Sequence, residues 1–237
     1  MTYAELEIQN LTVRFGGVTA IDGVSLRHDT GGVVGLIGAN GAGKTTFVNV
    51  LSGVVRPTRG RAVLDGNELT VLPAHRIARA GLTRTFQNLR LFGSLPVLEH
   101  LLTPYGARRR GRKRALALLA DVGLAGAEDR YPGELSYGEQ RRLELARALA
   151  LDPRVILLDE PLAGLPASEG DELLDLFARL RDDGTTLLLV EHDVPSVLRI
   201  SDRVLVLDRG RLLADGPPAA VAADPEVRRA YLGDGDA

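Results

Sequence analysis

The segment Gly38-Ala39-Asn40-Gly41-Ala42-Gly43-Lys44-Thr45 constrains this 237-residue chain more than any other. It fits G-x-x-x-x-G-K-[ST], a phosphate-binding loop that works only between a buried strand and a helix. Both flanks are present. Val33-Val34-Gly35-Leu36-Ile37 is an apolar run of buried-strand length. Thr46-Phe47-Val48-Asn49-Val50-Leu51 places Phe47, Val50 and Leu51 at i, i+3 and i+4 of a helix. Glycines at 38, 41 and 43 let backbone N–H groups converge on an anion with no Cβ in the way. The helix start adds its positive dipole end to the same site. Lys44 is one of only two lysines, against 27 arginines. A triphosphate tail in a tight loop favours a compact point charge, whereas a planar guanidinium suits bidentate pairing at open sites. A plain glycine-rich turn would not require lysine followed by two threonines. The expected ligand is a nucleoside triphosphate, held by Gly38, Ala39, Asn40, Gly41, Ala42, Gly43, Lys44, Thr45 and Thr46.

Composition narrows the setting. The net charge of −2 generates no global field toward nucleic acid or an anionic membrane. The chain has no cysteine, hence no disulfide framework and no thiolate chemistry. The N-terminal MTYAELEIQN lacks the basic start and apolar core of a signal peptide, and no apolar stretch reaches the ~18–20 residues of a membrane span. The expectation is a soluble, cytoplasmic protein.

The pattern along the chain indicates an α/β fold with a mostly parallel sheet. Val155-Ile156-Leu157-Leu158 and Thr186-Leu187-Leu188-Leu189-Val190 are continuous apolar strands, and 171–180 is the helix between them. The alternating segment 5–15, with 20–27 and 61–64, predicts a small antiparallel sheet, and 203–207 and 211–214 form a hairpin around Asp208-Arg209-Gly210. From 98 to 150 the helical period dominates. The expected organisation is one domain over 1–237, with a helical subdomain at about 88–152 inserted in the nucleotide-binding core.

Asp159 and Glu160 follow the second apolar strand directly. Carboxylates at a strand's carboxyl end, in a sheet that also carries a phosphate loop, lie at the usual ligand edge. Asp159 is expected to hold Mg²⁺ together with the Thr45 hydroxyl, leaving Glu160 to orient or deprotonate an attacking water. His192, leaving the third strand, stands at the same edge within reach of a γ-phosphate. Gln87, in Arg84-Thr85-Phe86-Gln87-Asn88, is by itself an ordinary loop amide. These residues specify a Mg-NTP hydrolase.

Leu135-Ser136-Tyr137-Gly138-Glu139-Gln140 precedes a helix at 141–150. A serine and a glycine there offer a hydroxyl, bare N–H groups and a dipole end to an anion. Standing alone, the serine would be an ordinary N-cap. The segment nevertheless resembles the signature of ATP-binding-cassette (ABC) proteins, and it lies between the phosphate loop and Asp159-Glu160 as that family requires. The resemblance implies that ATP is the nucleotide. Gln87 becomes the Q-loop glutamine and a further Mg²⁺ contact, Asp159-Glu160 the Walker B pair, and His192 the switch histidine. Phe15 resembles the aromatic that stacks on adenine. Ser136, Tyr137, Gly138, Glu139 and Gln140 would meet ATP bound to a second ATPase subunit, identical or related, in a head-to-tail dimer.

The stretches 15–26 (FGGVTAIDGVSL), 84–92 (RTFQNLRLF) and 229–233 (RAYLG) are similar to the ATP-binding subunits of branched-chain amino-acid importers. Urea and short-amide importers are close behind. The resemblance implies transmembrane permease subunits as partners, an extracytoplasmic solute-binding protein acting indirectly, and a peripheral position on the cytoplasmic face of the membrane. Phe92, Leu95 and Val97 are expected in the groove that receives a permease loop. Pro166 stands where the family's D-loop carries aspartate, which removes a donor and a polar side chain. The basic run 108–114 is expected to be a solvated loop, since no aromatics interleave it to stack on bases. A kinase or GTPase would leave 135–140 unexplained, and the guanine-reading N-K-x-D is absent. An ABC protein acting on nucleic acid would commonly carry two cassettes; no nucleic-acid partner is expected.

Overall fold

The computed structural model describes residues 5–29, 31–87, 89–102 and 109–232; Asn88, Arg108 and Gly233 of the segments quoted above lie outside them. The chain enters through two long strands, β1 (Glu5–Phe15) and β2 (Val18–Asp29), paired antiparallel. With β4 (Arg59–Leu64) and β5 (Asn67–Glu68) they form a four-stranded sheet in the order β2-β1-β4-β5. The alternation in 5–15 accounts for this sheet: its apolar side covers a core and its polar side faces water.

A second, six-stranded sheet has the order β10-β9-β3-β8-β7-β6. Its strands are β3 (Val33–Ile37), β6 (Leu82–Arg84), β7 (Val155–Asp159), β8 (Thr186–Val190), β9 (Arg203–Asp208) and β10 (Arg211–Gly216). All neighbours run parallel except the β9–β10 hairpin. In that hairpin Arg209 (φ 46°) and Gly210 (φ 80°) both take positive φ, as a two-residue primed turn requires.

The continuous apolar strands are explained by burial on both faces. Val34 and Leu36, Val155 and Leu157, and Leu188 and Val190 point into a core shared with the antiparallel sheet and α1 (Lys44–Leu51). Val33 and Ile37, Ile156 and Leu158, and Leu187 and Leu189 point into the opposite core. That core is built from α3 (Val97–Leu102), α4 (Arg109–Asp121), α5 (Tyr137–Leu149), α6 (Ala167–Asp182) and α7 (Val194–Ile200). Helices α3 to α5 all fall between β6 and β7 in the chain, while α2 (Ala74–Arg79) precedes β6.

Two expectations are corrected. The basic run is not a loop: from Arg109 onward it is the first part of α4, whose residues Ala115, Leu118 and Leu119 are buried while Arg112, Lys113 and Arg114 are exposed. Arg114 pairs with Asp152, so the run contributes an exposed cationic face to a helix that is anchored by its opposite side. Val97 is fully buried in the α3 core rather than lining a surface groove.

Gly35, at the centre of β3, lets α7 approach the sheet. A Cβ there would overlap the Val197 methyl and stand 2.7 Å from Ser201 Oγ. Gly35→Ala is therefore expected to destabilise the chain by about 1–3 kcal/mol through overpacking. This corresponds to a fall in Tm of roughly 2–4 °C per kcal/mol at this size. Adding Val197→Ala should restore part of it; an unchanged melting temperature in Gly35→Ala would contradict this packing.

Candidate functional site

The phosphate loop occupies the turn between β3 and α1, at the carboxyl edge of the parallel sheet. Gly43 precedes the helix at φ 108°, where an L side chain is strained, and a Cβ would lie 2.5 Å from the Ala20 carbonyl oxygen of β2. The loop is pinned from the far side by the β9–β10 turn, where Gly210 N–H donates to the Ala42 carbonyl at 2.9 Å. Lys44 is buried to 6 % exposure, and its ammonium donates to the carbonyls of Gly38 (2.5 Å) and Ala39 (3.2 Å). Burial lowers its pKa; the nearby carboxylates of Glu160 and Asp159 act in the opposite direction.

Glu160 follows β7 in a left-handed conformation, φ 50°, uncommon for a residue with a side chain and suited to turning it across the edge. Its amide donates to the Val190 carbonyl of β8 at 2.9 Å, which fixes the turn against the neighbouring strand. The side chain is bracketed on both oxygens. Gln87 Nε2 donates to Oε2 and His192 Nε2 contacts Oε1, each at 2.6 Å. A carboxylate only accepts, so the imidazole must carry its proton on Nε2 in this contact. Gln87, Glu160 and His192 come from the ends of β6, β7 and β8, and with residues 39–46 they line one open cavity of about 360 Å³.

Two site residues are arranged less directly. Asp159 is 5 % exposed and does not line that cavity; its Oδ2 is taken by Arg84 Nη2 at 2.7 Å. Among the described residues its Oδ1 accepts no hydrogen bond. Thr45 and Gln87, expected with Asp159 around Mg²⁺, line the cavity, and among the described residues no hydrogen bond joins any two of the three. Phe15 is exposed to 52 % at the end of β1, so it is not a core residue.

The signature segment lies elsewhere. Ser136 caps α5, its hydroxyl accepting from Glu139 N–H at 3.2 Å while Glu139 Oε2 accepts from Ser136 N–H at 2.7 Å. The ordinary N-cap is therefore real, yet Ser136 and Tyr137 are also exposed. Gly138 is buried against α6, where a Cβ would collide with the Glu169 carboxylate. None of 136–140 lines the phosphate-loop cavity. Pro166 is the N-cap of α6 and offers no side-chain cap.

Three residues that sequence reasoning passed over support these loops. Arg141 donates to the carbonyls of Phe86 (2.9 Å) and Gln87 (2.7 Å), so the helix that follows the signature holds the backbone beneath Gln87. Glu191 is 5 % exposed; it accepts from Leu162 N–H at 2.8 Å and His192 N–H at 3.3 Å, tying the loop after Glu160 to the start of the histidine loop. Burial is the main cause raising its pKa, and those two amides oppose the rise. Arg84 is the third. Arg84 lay within the quoted RTFQ stretch and Glu191 beside His192, but neither showed its partner in sequence.

Comparison with known proteins agrees with this geometry. Residues 21–163 match the family model described as ABC transporter, and residues 211–237 match branched-chain amino acid ATP-binding cassette transporter. The chain is 44 % identical to the high-affinity branched-chain amino acid transport ATP-binding protein BraF of Pseudomonas aeruginosa, covering 97 % of this chain and 98 % of BraF. Among solved structures it resembles the ADP conformation of MJ1267, an ATP-binding cassette of an ABC transporter, with TM-score 0.88, 30 % identity and coverage of 98 % and 100 %. It also resembles a dimeric post-hydrolysis state of the cassette MJ0796 bound to ADP and Pi, with TM-score 0.79, 28 % identity and coverage of 90 % and 98 %. A family match over more than half the chain and a near-full-length relative at this identity lead to one conclusion: the chain belongs to the ABC transporter family, as one of its ATP-binding cassettes.

Proposed function

We propose that this chain hydrolyses ATP to drive uptake of branched-chain amino acids through separate membrane permease subunits, sitting at the cytoplasmic face of the membrane. The observation that carries the mechanism is the Glu160 carboxylate held between Gln87 and His192 in the same cavity as Lys44. Residues 38–46 cradle the phosphates and Phe15 stacks on adenine. Glu160 takes the proton of the attacking water, and His192 and Gln87 hold it in place and meet the γ-phosphate. The donor set at the edge fits Mg²⁺. A hard cation of this size needs only one or two protein oxygens beside phosphate and water, and Asp159 Oδ1 and the exposed Thr45 hydroxyl are oxygens of that kind, with Gln87 close by. Among the described residues no group of three His, Cys, Asp or Glu side chains competes as a metal cluster. When bound, the ion neutralises charge on the phosphates.

The exposed Ser136-Tyr137 cap, which does not line the chain's own cavity, supports a second cassette as partner, each signature completing the other's ATP site. The substrate is supported by the likeness to BraF and by the match of residues 211–237. A solute-binding protein would deliver it outside the cell.

The permease is assigned to an apolar groove of about 310 Å³ floored by Ile77 and Leu82 and bordered by the exposed Val54, Phe92 and Leu151. No helix among the described residues is long and apolar enough to cross a membrane. Transport by this chain therefore requires such a docking face.

Glu160→Gln is expected to keep ATP binding and to lower turnover about 10²–10⁴-fold, since the base is lost while the cradle remains. Turnover near the parent value would remove Glu160 from this role. Lys44→Ala should instead weaken nucleotide binding itself, measured by titration; unchanged affinity would contradict the phosphate-loop assignment. Phe92→Asp places a carboxylate where an apolar loop must seat, at a cost on the order of several kcal/mol if it is buried there. ATP binding should persist while ATP-driven uptake of leucine, isoleucine and valine, measured in proteoliposomes with the permease subunits, is lost. Uptake of urea or short amides by the unmodified system would replace the substrate and leave the ATPase mechanism standing.

A further inference from the structure

Arg84 is a buried cation that touches a site residue and has been given no part in the reaction. It ends β6, next to β7, and its side chain is only 8 % exposed. The guanidinium donates through Nη2 to Asp159 Oδ2 at 2.7 Å, and through Nη1 to Asn49 Oδ1 at 2.6 Å and Ser52 Oγ at 3.0 Å. Its face lies over the Phe86 ring, 4.9 Å from the centroid. Asn49 belongs to α1 and Ser52 is its C-cap, the helix that begins at Lys44 and Thr45. One planar group therefore joins three segments: β6, the phosphate-loop helix and the end of β7.

We propose that Arg84 is the positioning residue of the Mg²⁺ site. It fixes the distance between the helix that carries Thr45 and the strand that carries Asp159. It also takes one oxygen of the Asp159 carboxylate, so that the side chain keeps a single orientation and leaves Oδ1 for the ion. The inference rests on the assignment of Thr45 and Asp159 to Mg²⁺ made above. Arginine suits the task because its fixed fork can serve a carboxylate and two neutral acceptors at once, whereas lysine is a point charge on a flexible stem. A buried pair with no such role would be an indifferent contributor, since desolvation offsets most of its attraction.

The test measures binding of a non-hydrolysable ATP analogue to the full chain, in EDTA and across a Mg²⁺ titration, for Arg84→Lys, Arg84→Met, Asp159→Asn and Arg84→Met/Asp159→Asn. In EDTA both single Arg84 variants should bind within about threefold of the parent. The half-saturating Mg²⁺ concentration should rise at least tenfold in Arg84→Met and less in Arg84→Lys. Asp159→Asn should give a similar rise, and the double variant no further one. A Mg²⁺ response equal to the parent's in either folded Arg84 variant, with Asp159→Asn shifted, would overturn the proposal while leaving the Asp159 assignment intact. No shift in Asp159→Asn would overturn the metal assignment and the proposal with it. If Arg84→Met does not fold, Arg84→Lys decides: a raised Mg²⁺ requirement with normal binding in EDTA supports the positioning role, and none rejects it.

Discussion

Burial of the six-stranded sheet on both faces is the constraint from which the site follows. Strands β3, β7 and β8 are enclosed along their whole length and are almost wholly apolar, so polar groups collect at the last residue of a strand or just beyond it. The phosphate loop leaves β3, Asp159 and Glu160 leave β7, and His192 leaves β8, with Gln87 arriving just after β6. Parallel pairing sends all of these ends to one edge. The antiparallel sheet supports that edge from the side, with the Ala20 carbonyl closed against Gly43.

The charges at this edge are each held differently. Lys44 is desolvated and bonded to carbonyls of its own loop, an arrangement a polyphosphate would replace with better acceptors. Glu160 is held between the Gln87 amide and the His192 imidazole, one on each carboxylate oxygen, which fixes its direction. Asp159 alone is matched to an arginine. The two adjacent carboxylates thus have different surroundings: one lies between an amide and an imidazole in the open cavity, the other is paired with a buried arginine.

Support for the site loops comes from helices and loops remote in sequence. Arg141 carries the Phe86 and Gln87 carbonyls on the signature helix, and Glu191 carries the Leu162 amide beside His192. Displacement of α5 must therefore disturb Gln87, and displacement of the loop at Leu162 must disturb His192. Pro166 lacks a polar side chain at the start of α6, and the Arg141 contacts, with Phe86 N–H donating to Glu144 of the same helix, link the cavity loop at Gln87 to α5.

Much of this was legible in the chain itself. Apolar runs bounded by glycine or carboxylate determined β3, β7 and β8, because a doubly buried strand must be apolar along nearly all of its length. The spacing of Gly38 to Thr45 determined the phosphate loop, because the geometry of an anion cradle is satisfied within eight consecutive residues. Glu160 and His192 were identifiable as strand-end groups for the same local reason, whereas Gln87 reads by itself as an ordinary loop amide and stood out only through the family resemblance. The partners of Asp159 and Glu191, the helical state of the run from Arg109 and the burial of Val97 were decided by tertiary structure. Arg84 and Asp159 lie 75 residues apart and meet because β6 takes its place beside β7 at the sheet edge. Strand order is set by the competition of whole surfaces for burial, which no local pattern of residues encodes, so the residue that holds Asp159 reads in sequence as one more arginine.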